Sequence, residues 1–122
     1  VARPEIRIEN LSQEQTLVTH GRVADGFWTR MKGLIGSKPL AEGEALLIVP
    51  CNSIHSHFMG FPFDAVFGNK ELKVVAIHRE MAPWRFGKIH RGAHFVIELP
   101  AGTVAATGTQ KGDQLQIQGY EF

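Results

Sequence analysis

The sequence predicts a mainly β (or α+β) fold, a compact single-domain sheet or barrel-like structure with one or two short helices. Short apolar segments with the two-residue alternation of strands recur along the chain, separated by turn residues. Ala45 to Val49 is a wholly apolar run that Pro50 ends, which is typical of a buried strand. No internal repeat or linker divides the chain, so residues 1–122 are interpreted as one domain.

Two extended segments near the start of the chain predict a hairpin of edge strands. Glu5 to Glu9 alternates isoleucine with charged residues, and the extended pattern resumes from Thr16 to Ala24. Because glycine favours sharp turns, we expect the chain to turn at His20 and Gly21.

The period then changes to that of a helix. Asp25 can cap its N-terminus, and the stretch from Gly36 to Pro39 stops it. The apolar residues that fall on one face of this predicted helix are Phe27, Met31, Leu34 and Ile35.

The pattern in the second half of the chain predicts further strands. Phe63, Ala65 and Phe67 alternate, residues 68–70 turn the chain, and Leu72 to Ile77 returns as the second arm of a hairpin. His78 to Gly92 has no clean period and is interpreted as a long surface loop, a kind of segment that is often functional. The remaining predicted elements are a strand from His94 to Leu99, one helical turn from Thr103 to Thr107 closed by Gly108, and a last strand holding Leu115 and Ile117.

Composition restricts the partners that the chain can have. Hydrophobic residues make up 43% and charged residues 20%, as in a soluble globular protein, and no apolar run approaches the roughly 20 residues of a membrane span. A formal charge of +1 is too small for long-range attraction to nucleic acid, so we expect neither a nucleic-acid partner nor a membrane span.

The lone Cys51 excludes an internal disulfide framework. This favours the cytoplasm, while an exported form with a removed leader stays open, because the chain opens on Val1 and not on methionine.

The block from Cys51 to Phe67 places soft and titratable side chains among core-forming aromatics. Cys51, His55 and Met59 are ligand types that copper favours, so soft-metal binding is one hypothesis. Residues four apart on a strand lie roughly 13 Å from each other, too far for one ion to bridge. A metal would need further ligands (His57, His78, His90 or His94), so we expect no metal site here and interpret the thiol and thioether as core packing.

His55 is also a candidate general acid or base, oriented by Asp64 or Glu98, because imidazole titrates near neutral pH and a carboxylate fixes its tautomer. Both carboxylates lie in apolar runs, where an ionised group is costly unless it is paired. We therefore expect each to have a cationic or multiple-donor partner, with Arg30 and Arg85 as the candidates.

The predicted loop carries local positive charge. Arg79, Arg85, Lys88 and Arg91 are opposed there only by Glu80, and Trp84 lies among them. Aromatic and basic side chains on one loop can hold a phosphate or carboxylate ligand, and a solvated loop with its indole on the core explains the pattern equally well.

Several short motifs carry a resemblance to a known family. The matching blocks, in order, are Arg30 with Gly33-Leu34, Ser53-Ile54-His55, Phe58-Met59, Phe61-Pro62 with Asp64 and Phe67, Pro83-Trp84-Arg85, Glu98-Leu99-Pro100-Ala101-Gly102, and Gly112-Asp113. Over roughly residues 20–118 these blocks resemble the signature of the family catalogued as domain of unknown function 192. The resemblance implies a compact, mainly β domain found in bacteria and archaea, with members both with and without export signals, and it supplies no activity. His57 stands where an aromatic is usual and Gly60 where an arginine is common, so any anion contact made by that arginine in relatives is not available here.

Two classes of function remain open. The first is a small binding module that captures a small anionic ligand or a partner's peptide in one cleft; its expected lining is His55, Met59, Asp64, Trp84 and Arg85, with Arg30 nearby. The second is an enzyme of the hydrolase or isomerase type that uses His55 with Asp64 or Glu98. We favour the binding module, since pockets of mixed aromatic and polar character are commoner than catalytic ones among sequences that lack a recognised reaction motif. The chain lacks a P-loop, a dinucleotide fingerprint and a paired-cysteine zinc pattern, so no cofactor is expected.

Overall fold

The structure, a computed structural model, describes residues 5–24, 40–53, 61–81 and 89–122. Within these ranges the elements are β1 (Ile6–Asn10), β2 (Gln15–Ala24), β3 (Glu44–Ile48), β4 (Phe63–Gly68), β5 (Val74–Met81), β6 (Phe95–Pro100), α1 (Thr103–Thr107) and β7 (Leu115–Gln118). The mainly β class with a short helix is confirmed. The helix predicted after Asp25 lies outside the described residues.

All of these strands form one sheet in the order β5-β4-β6-β3-β2-β1-β7. Neighbouring strands pair antiparallel except β2 and β3, which run parallel from His20 beside Glu44 to Ala24 beside Ile48. The predicted hairpin of β4 and β5 is confirmed, and β6 lies on the other side of β4.

The sheet curls until its two edge strands meet at their ends. Lys73 forms an antiparallel bridge with Gln114, and the Leu115 amide donates to the Leu72 carbonyl at 2.8 Å. The Val74 amide likewise donates to the Asp113 carbonyl at 2.9 Å. The sheet is therefore a half-barrel with an inner and an outer face.

The inner face holds the main core. Every strand contributes a fully or almost fully buried side chain to it, and α1 adds Val104; the largest members include Ile6, Ile8, Leu47, Phe95, Ile97, Leu99 and Leu115. Burial on this face is the main stabilising contribution that the described residues show, since a fully buried aliphatic or aromatic side chain contributes roughly 1.5–3 kcal/mol.

The outer face carries a second buried group of side chains, which we call the outer cluster: Ala24, Ile48, Phe61, Phe63, Ala65, Phe67, Met81 and Val96. The strands β4 and β6 are thus buried on both faces, and their sequences are correspondingly almost continuously apolar.

The predicted turn at His20 and Gly21 is wrong, and so is the expectation of edge strands. Both residues lie inside β2, the chain turns instead at residues 11–14, and β1 and β2 each have a strand on both sides. A Cβ on Gly21 would lie 2.8 Å from Ile6 Cγ1 and 2.9 Å from Val18 Cγ1. Glycine is present there because the two strands pack closely.

Residues 78–81, predicted to start the surface loop, belong instead to β5, and residues 82–88 of that prediction lie outside the described residues. β5 continues to Met81, with His78 opposite Ala65 and Met81 opposite Phe63. A register shift lies between these two pairs, and Glu80 there has a φ of 49°. The shift breaks the two-residue alternation by which a strand is recognised in the sequence.

The other predicted elements of the described ranges are confirmed within one or two residues: the buried strand that Pro50 follows, the strand now assigned as β6, the helical turn α1 with its Gly108 cap, and β7. Across the described ranges, no helix combines the length and apolarity that crossing a bilayer requires.

Gly68 ends β4 beneath the Phe95 ring, whose atoms occupy the space that a Cβ would need. We expect Gly68→Ala to lower the free energy of unfolding by about 1–3 kcal/mol or more, because overpacking a core costs free energy of this size. Gly92→Ala is the matched control, because a Cβ there meets nothing within 4 Å. Urea denaturation of both variants makes the comparison, and equal stability of the two would contradict this account of the Gly68 contact.

Candidate functional site

One row of side chains crosses the outer face at the centre of the sheet. Strand pairing sets His78 opposite Ala65, Ala65 opposite Glu98, Glu98 opposite Leu46, and Leu46 opposite Arg22. Directly paired residues point to the same face of a sheet, so these five side chains share the outer face. The row places one carboxylate between a histidine and an arginine, with only small or apolar side chains separating them.

Glu98 is the unusual member of this row. It is 2% exposed, and its Oε2 atom has no hydrogen-bond partner in the part of the chain that the structure describes. Burial raises the pKa of the Glu98 carboxyl to about 8, because desolvation disfavours the charged form. The group is therefore a neutral acid at pH 7, and the cationic or multiple-donor partner expected for it is not found among these residues.

His78 meets a second histidine at the edge of the same face. Its Nε2 lies 2.8 Å from Nε2 of His90, and both rings are half-buried. Phe67 contacts both rings edge-on, with ring centroids 5.6 Å from His78 and 4.5 Å from His90. The His90 amide also donates to the Asn52 carbonyl at 2.8 Å, so both backbone and ring of His90 are held in place.

Asp64 lies on the opposite side of the sheet from Glu98. It is fully buried, and residues 64 and 65 of β4 point to opposite faces, as strand alternation requires. Its Oδ1 accepts the Glu80 amide at 2.7 Å and its Oδ2 accepts the Val104 amide at 2.8 Å. The multiple-donor partner expected for Asp64 is thus present, and this carboxylate joins β4 to the bend of β5 and to α1.

Cys51 is half-buried and packs against the outer cluster. Its Sγ donates to the Ser53 carbonyl at 2.8 Å, and its amide donates to the His94 carbonyl at 2.8 Å. These contacts agree with the packing role predicted for the thiol. In the described ranges, no three His, Cys, Asp or Glu side chains converge as a metal site would require.

Most of the predicted lining lies outside the described residues: His55, Met59, Trp84, Arg85 and Arg30. In the sequence, each of these stretches begins or ends next to a residue of the outer cluster. Ala24 precedes residues 25–39, Phe61 follows residues 54–60, and Met81 precedes residues 82–88.

Two open grooves formed by described residues lie beside α1 and not beside Glu98. One, of about 570 Å³, has Arg79 and Lys111 on its rim; the other, of about 630 Å³, lies against the start of β2. Both cations are exposed, and the buried Thr109 hydroxyl is already bonded to Asn10. These grooves are therefore concave, but none of these polar groups needs a ligand to complete its hydrogen bonds.

A model of the family described as uncharacterised ACR, domain of unknown function 192, matches residues 8–117. The chain belongs to this family. The resemblance found in the sequence motifs is confirmed, and the family's description as uncharacterised assigns no activity to its members.

Two archaeal relatives of the family are about equally similar to this chain. A UPF0127 protein of Pyrococcus furiosus is 30% identical over 112 residues, which cover 88% of this chain and 94% of the relative. A UPF0127 protein of Pyrococcus horikoshii is 30% identical over 113 residues, covering 88% and 92%.

Two solved structures share the fold. A protein of Sinorhizobium meliloti, described as a candidate transcription regulator, superposes with a TM-score of 0.80 at 23% identity and covers 98% of this chain and 96% of its own. A protein of unknown function from Novosphingobium aromaticivorans gives a TM-score of 0.77 at 19% identity, covering 92% and 83%. At these identities the likeness shows the fold alone.

The pairing of His78 with His90 was not predicted from the sequence. The two residues are twelve apart and were both assigned to one loop, whereas only His90 lies beyond the strand. Had the two-residue alternation been continued past Ile77, it would have placed His78 on the same face as Ala76. Ala76 pairs with Phe67 of β4, so His78 and Phe67 would have been predicted to share that face.

We expect Asp64→Ala to lower the free energy of unfolding by about 3 kcal/mol, because it leaves two buried backbone amides without an acceptor. Asp64→Asn keeps one good acceptor oxygen, so its loss should be about half as large. Chemical denaturation measures both, with exposed Glu71→Ala as control. A cost for Asp64→Ala no larger than that of the control would show that the two bonds are not stabilising.

Glu98 should make the fold less stable as pH rises. Its pKa is about 8 in the folded protein and near 4.5 when unfolded, so between these values the unfolded chain loses a proton that the folded chain keeps. Glu98→Gln has no proton to lose at this position. Its free energy of unfolding, relative to that of the wild type, should therefore increase from pH 5 to pH 8 by the order of a few kcal/mol. Urea denaturation at both pH values tests this, with exposed Glu121→Gln as the control. A difference between variant and wild type that does not change with pH contradicts it.

Proposed function

We propose that this protein is a small binding module that captures a small anionic ligand on the outer face of the sheet, with the Glu98 carboxyl at the floor of the site. The observation that carries the proposal is the buried Oε2 atom without a hydrogen-bond partner among the described residues. A buried polar atom left in this state is costly to the fold and is a common mark of a functional position.

The protonation of Glu98 supports an anionic ligand. A carboxylate would repel an anion, but burial raises the pKa of Glu98 to about 8, so at neutral pH the group carries a proton that it can donate to a ligand oxygen. Arg22 and His78 lie on the same face in the same row and supply cationic or donor groups at its two ends. Ala65, the small residue between Glu98 and His78, adds no hydrogen-bonding side chain of its own to the row.

The remaining wall of the site is proposed from the sequence. The candidates are His55, Met59, Trp84, Arg85 and Arg30, which belong to stretches that begin or end beside Ala24, Phe61 and Met81 of the outer cluster. Asp64 is assigned a different role in this proposal, because both of its oxygens accept backbone amides on the inner side. A partner's peptide with a carboxylate group is the other occupant that this chemistry would suit.

An enzyme of the hydrolase or isomerase type is the second candidate. A carboxyl group with a pKa of about 8 can give and take a proton near neutral pH, as a general acid or base must. His55 is its predicted partner, and Asp64, tied to two amides, is the less suitable of the two carboxylates. Hydrolysis of an ester panel by the wild type but not by Glu98→Gln would favour this candidate over binding alone.

Ligand affinity should depend on the proton of Glu98. Acetate, citrate and inorganic phosphate serve as probes in calorimetry, and for a probe that binds, the dissociation constant should rise about tenfold per pH unit above about 8, where Glu98 ionises. Glu98→Gln should still bind the probe, because its amide donates a hydrogen bond, but its affinity should not show this pH dependence. Glu98→Ala should no longer bind the probe.

Two further variants complete this test. Arg85→Ala should weaken binding if the proposed wall is correct, and Glu121→Gln should leave it unchanged because that side chain is exposed. Binding that survives in Glu98→Ala, or that keeps its pH dependence in Glu98→Gln, would place the site elsewhere.

A further inference from the structure

The histidine pair at the edge of the outer face has a geometry that suits more than a hydrogen bond. The two Nε2 atoms are 2.8 Å apart and the ring centroids 5.1 Å apart. If the two centroids and the two Nε2 atoms lay on one line, the centroid separation would equal the Nε2–Nε2 distance plus one centroid-to-nitrogen distance on each side. The observed separations match that sum, so the two nitrogens face each other almost directly. One of them must carry a proton and the other must offer its lone pair.

We propose that His78 and His90 form a two-histidine site for a late first-row divalent metal ion, such as Zn²⁺, Ni²⁺ or Cu²⁺. Neutral imidazole is a ligand that suits all three ions. The ion would replace the proton that the two nitrogens share, and water or an external ligand would occupy the remaining positions. This inference shares His78 with the anion site proposed at Glu98, but it rests on a different observation, the facing nitrogens of His78 and His90.

The movement needed to bind an ion is small. Two imidazole nitrogens on one tetrahedral ion, each at about 2.0–2.1 Å, lie about 3.3–3.4 Å from each other. From the observed 2.8 Å, the rings must separate by roughly half an ångström and each tilt by about 35° so that both lone pairs converge on the ion. Both residues are half-buried, so neither is sealed in the core.

The surroundings hold both ligands close to this arrangement. His78 is fixed in β5 by its pairing with β4, and the backbone of His90 is tied to Asn52. Phe67 packs against both rings and limits the conformations they can adopt. Ligands already near their bound positions lose little conformational freedom on binding, which favours affinity.

The site differs from a structural zinc centre. Within the described residues no third His, Cys, Asp or Glu side chain joins the pair, so this part of the chain supplies two ligands and leaves the other positions exchangeable. An ion held in this way is an open Lewis acid at the rim of the outer face. We therefore expect reversible binding rather than a metal that the fold requires.

The test is a competition titration of the full chain, freed of any histidine tag, with Ni²⁺ and Zn²⁺ against a chromogenic chelator. His78→Gln and His90→Gln keep a side chain of similar size that can still hydrogen-bond but remove one imidazole. Each should weaken metal binding by at least about tenfold, since loss of a partner one shell further out already costs 10–100-fold. Circular dichroism and thermal melts establish that both variants fold.

His94→Gln and His20→Gln are the matched controls, because each removes one imidazole that is not part of the pair; the His94 ring contacts Phe122 and the His20 ring contacts Thr19. Both controls should bind as the wild type does. Wild-type affinity in His78→Gln and His90→Gln, or an equal loss in the controls, overturns the site. So does a wild type that binds neither ion at millimolar concentration. Glu98→Gln should leave the metal titration unchanged, which separates this result from the fate of the anion site.

Discussion

The alternation of side chains along β4 and β6 is the constraint on which the rest of the structure depends. Both strands lie inside the sheet and are buried on both faces, so every side chain on them must enter one of two apolar layers. Asp64 and Glu98, the acidic residues of these strands, therefore have no exposed position available. The pairing of Ala65 with Glu98 and of Asp64 with Leu99 sends the two carboxyl groups to opposite faces.

The two faces treat these groups differently. On the inner face, Asp64 meets the bend of β5 and the start of α1, where two backbone amides lack strand or helix partners and the carboxylate accepts both. On the outer face, Glu98 is flanked by Ala65 and Leu46, which cannot bond to it. The same kind of side chain is thus a structural link on one face and, on the other, a neutral acid with one oxygen unbonded by the described residues.

The sequence allowed the strands to be predicted more completely than the site. Apolar alternation and Gly-Asn or Pro-Ala-Gly turns located β4, β6, α1 and β7, because those signals are local. The errors came from long-range packing: Gly21 serves a close strand contact, and a register shift near Glu80 conceals the end of β5. Glu98 was identified as a candidate from its apolar context. That Oε2 has no partner among the described residues depends on which side chains flank it across the sheet, and neither spacing nor composition contains that information.

The packing of the described residues gives no stability reason for a carboxyl group at Glu98. An apolar residue there would fill the same layer without the cost of burying a carboxyl group, and replacing buried polar groups by apolar ones of similar shape is often neutral or stabilising. Asp64 gives the fold two hydrogen bonds in return for its burial, whereas the described residues give Glu98 Oε2 none. Proteins most often break the rule that buried polar groups are bonded at sites that bind or react. Since its proton is retained at neutral pH and its row is bounded by Arg22 and His78, the acid has the chemistry of the donor that the proposed anion site needs, and the described residues offer that donor no acceptor at Oε2.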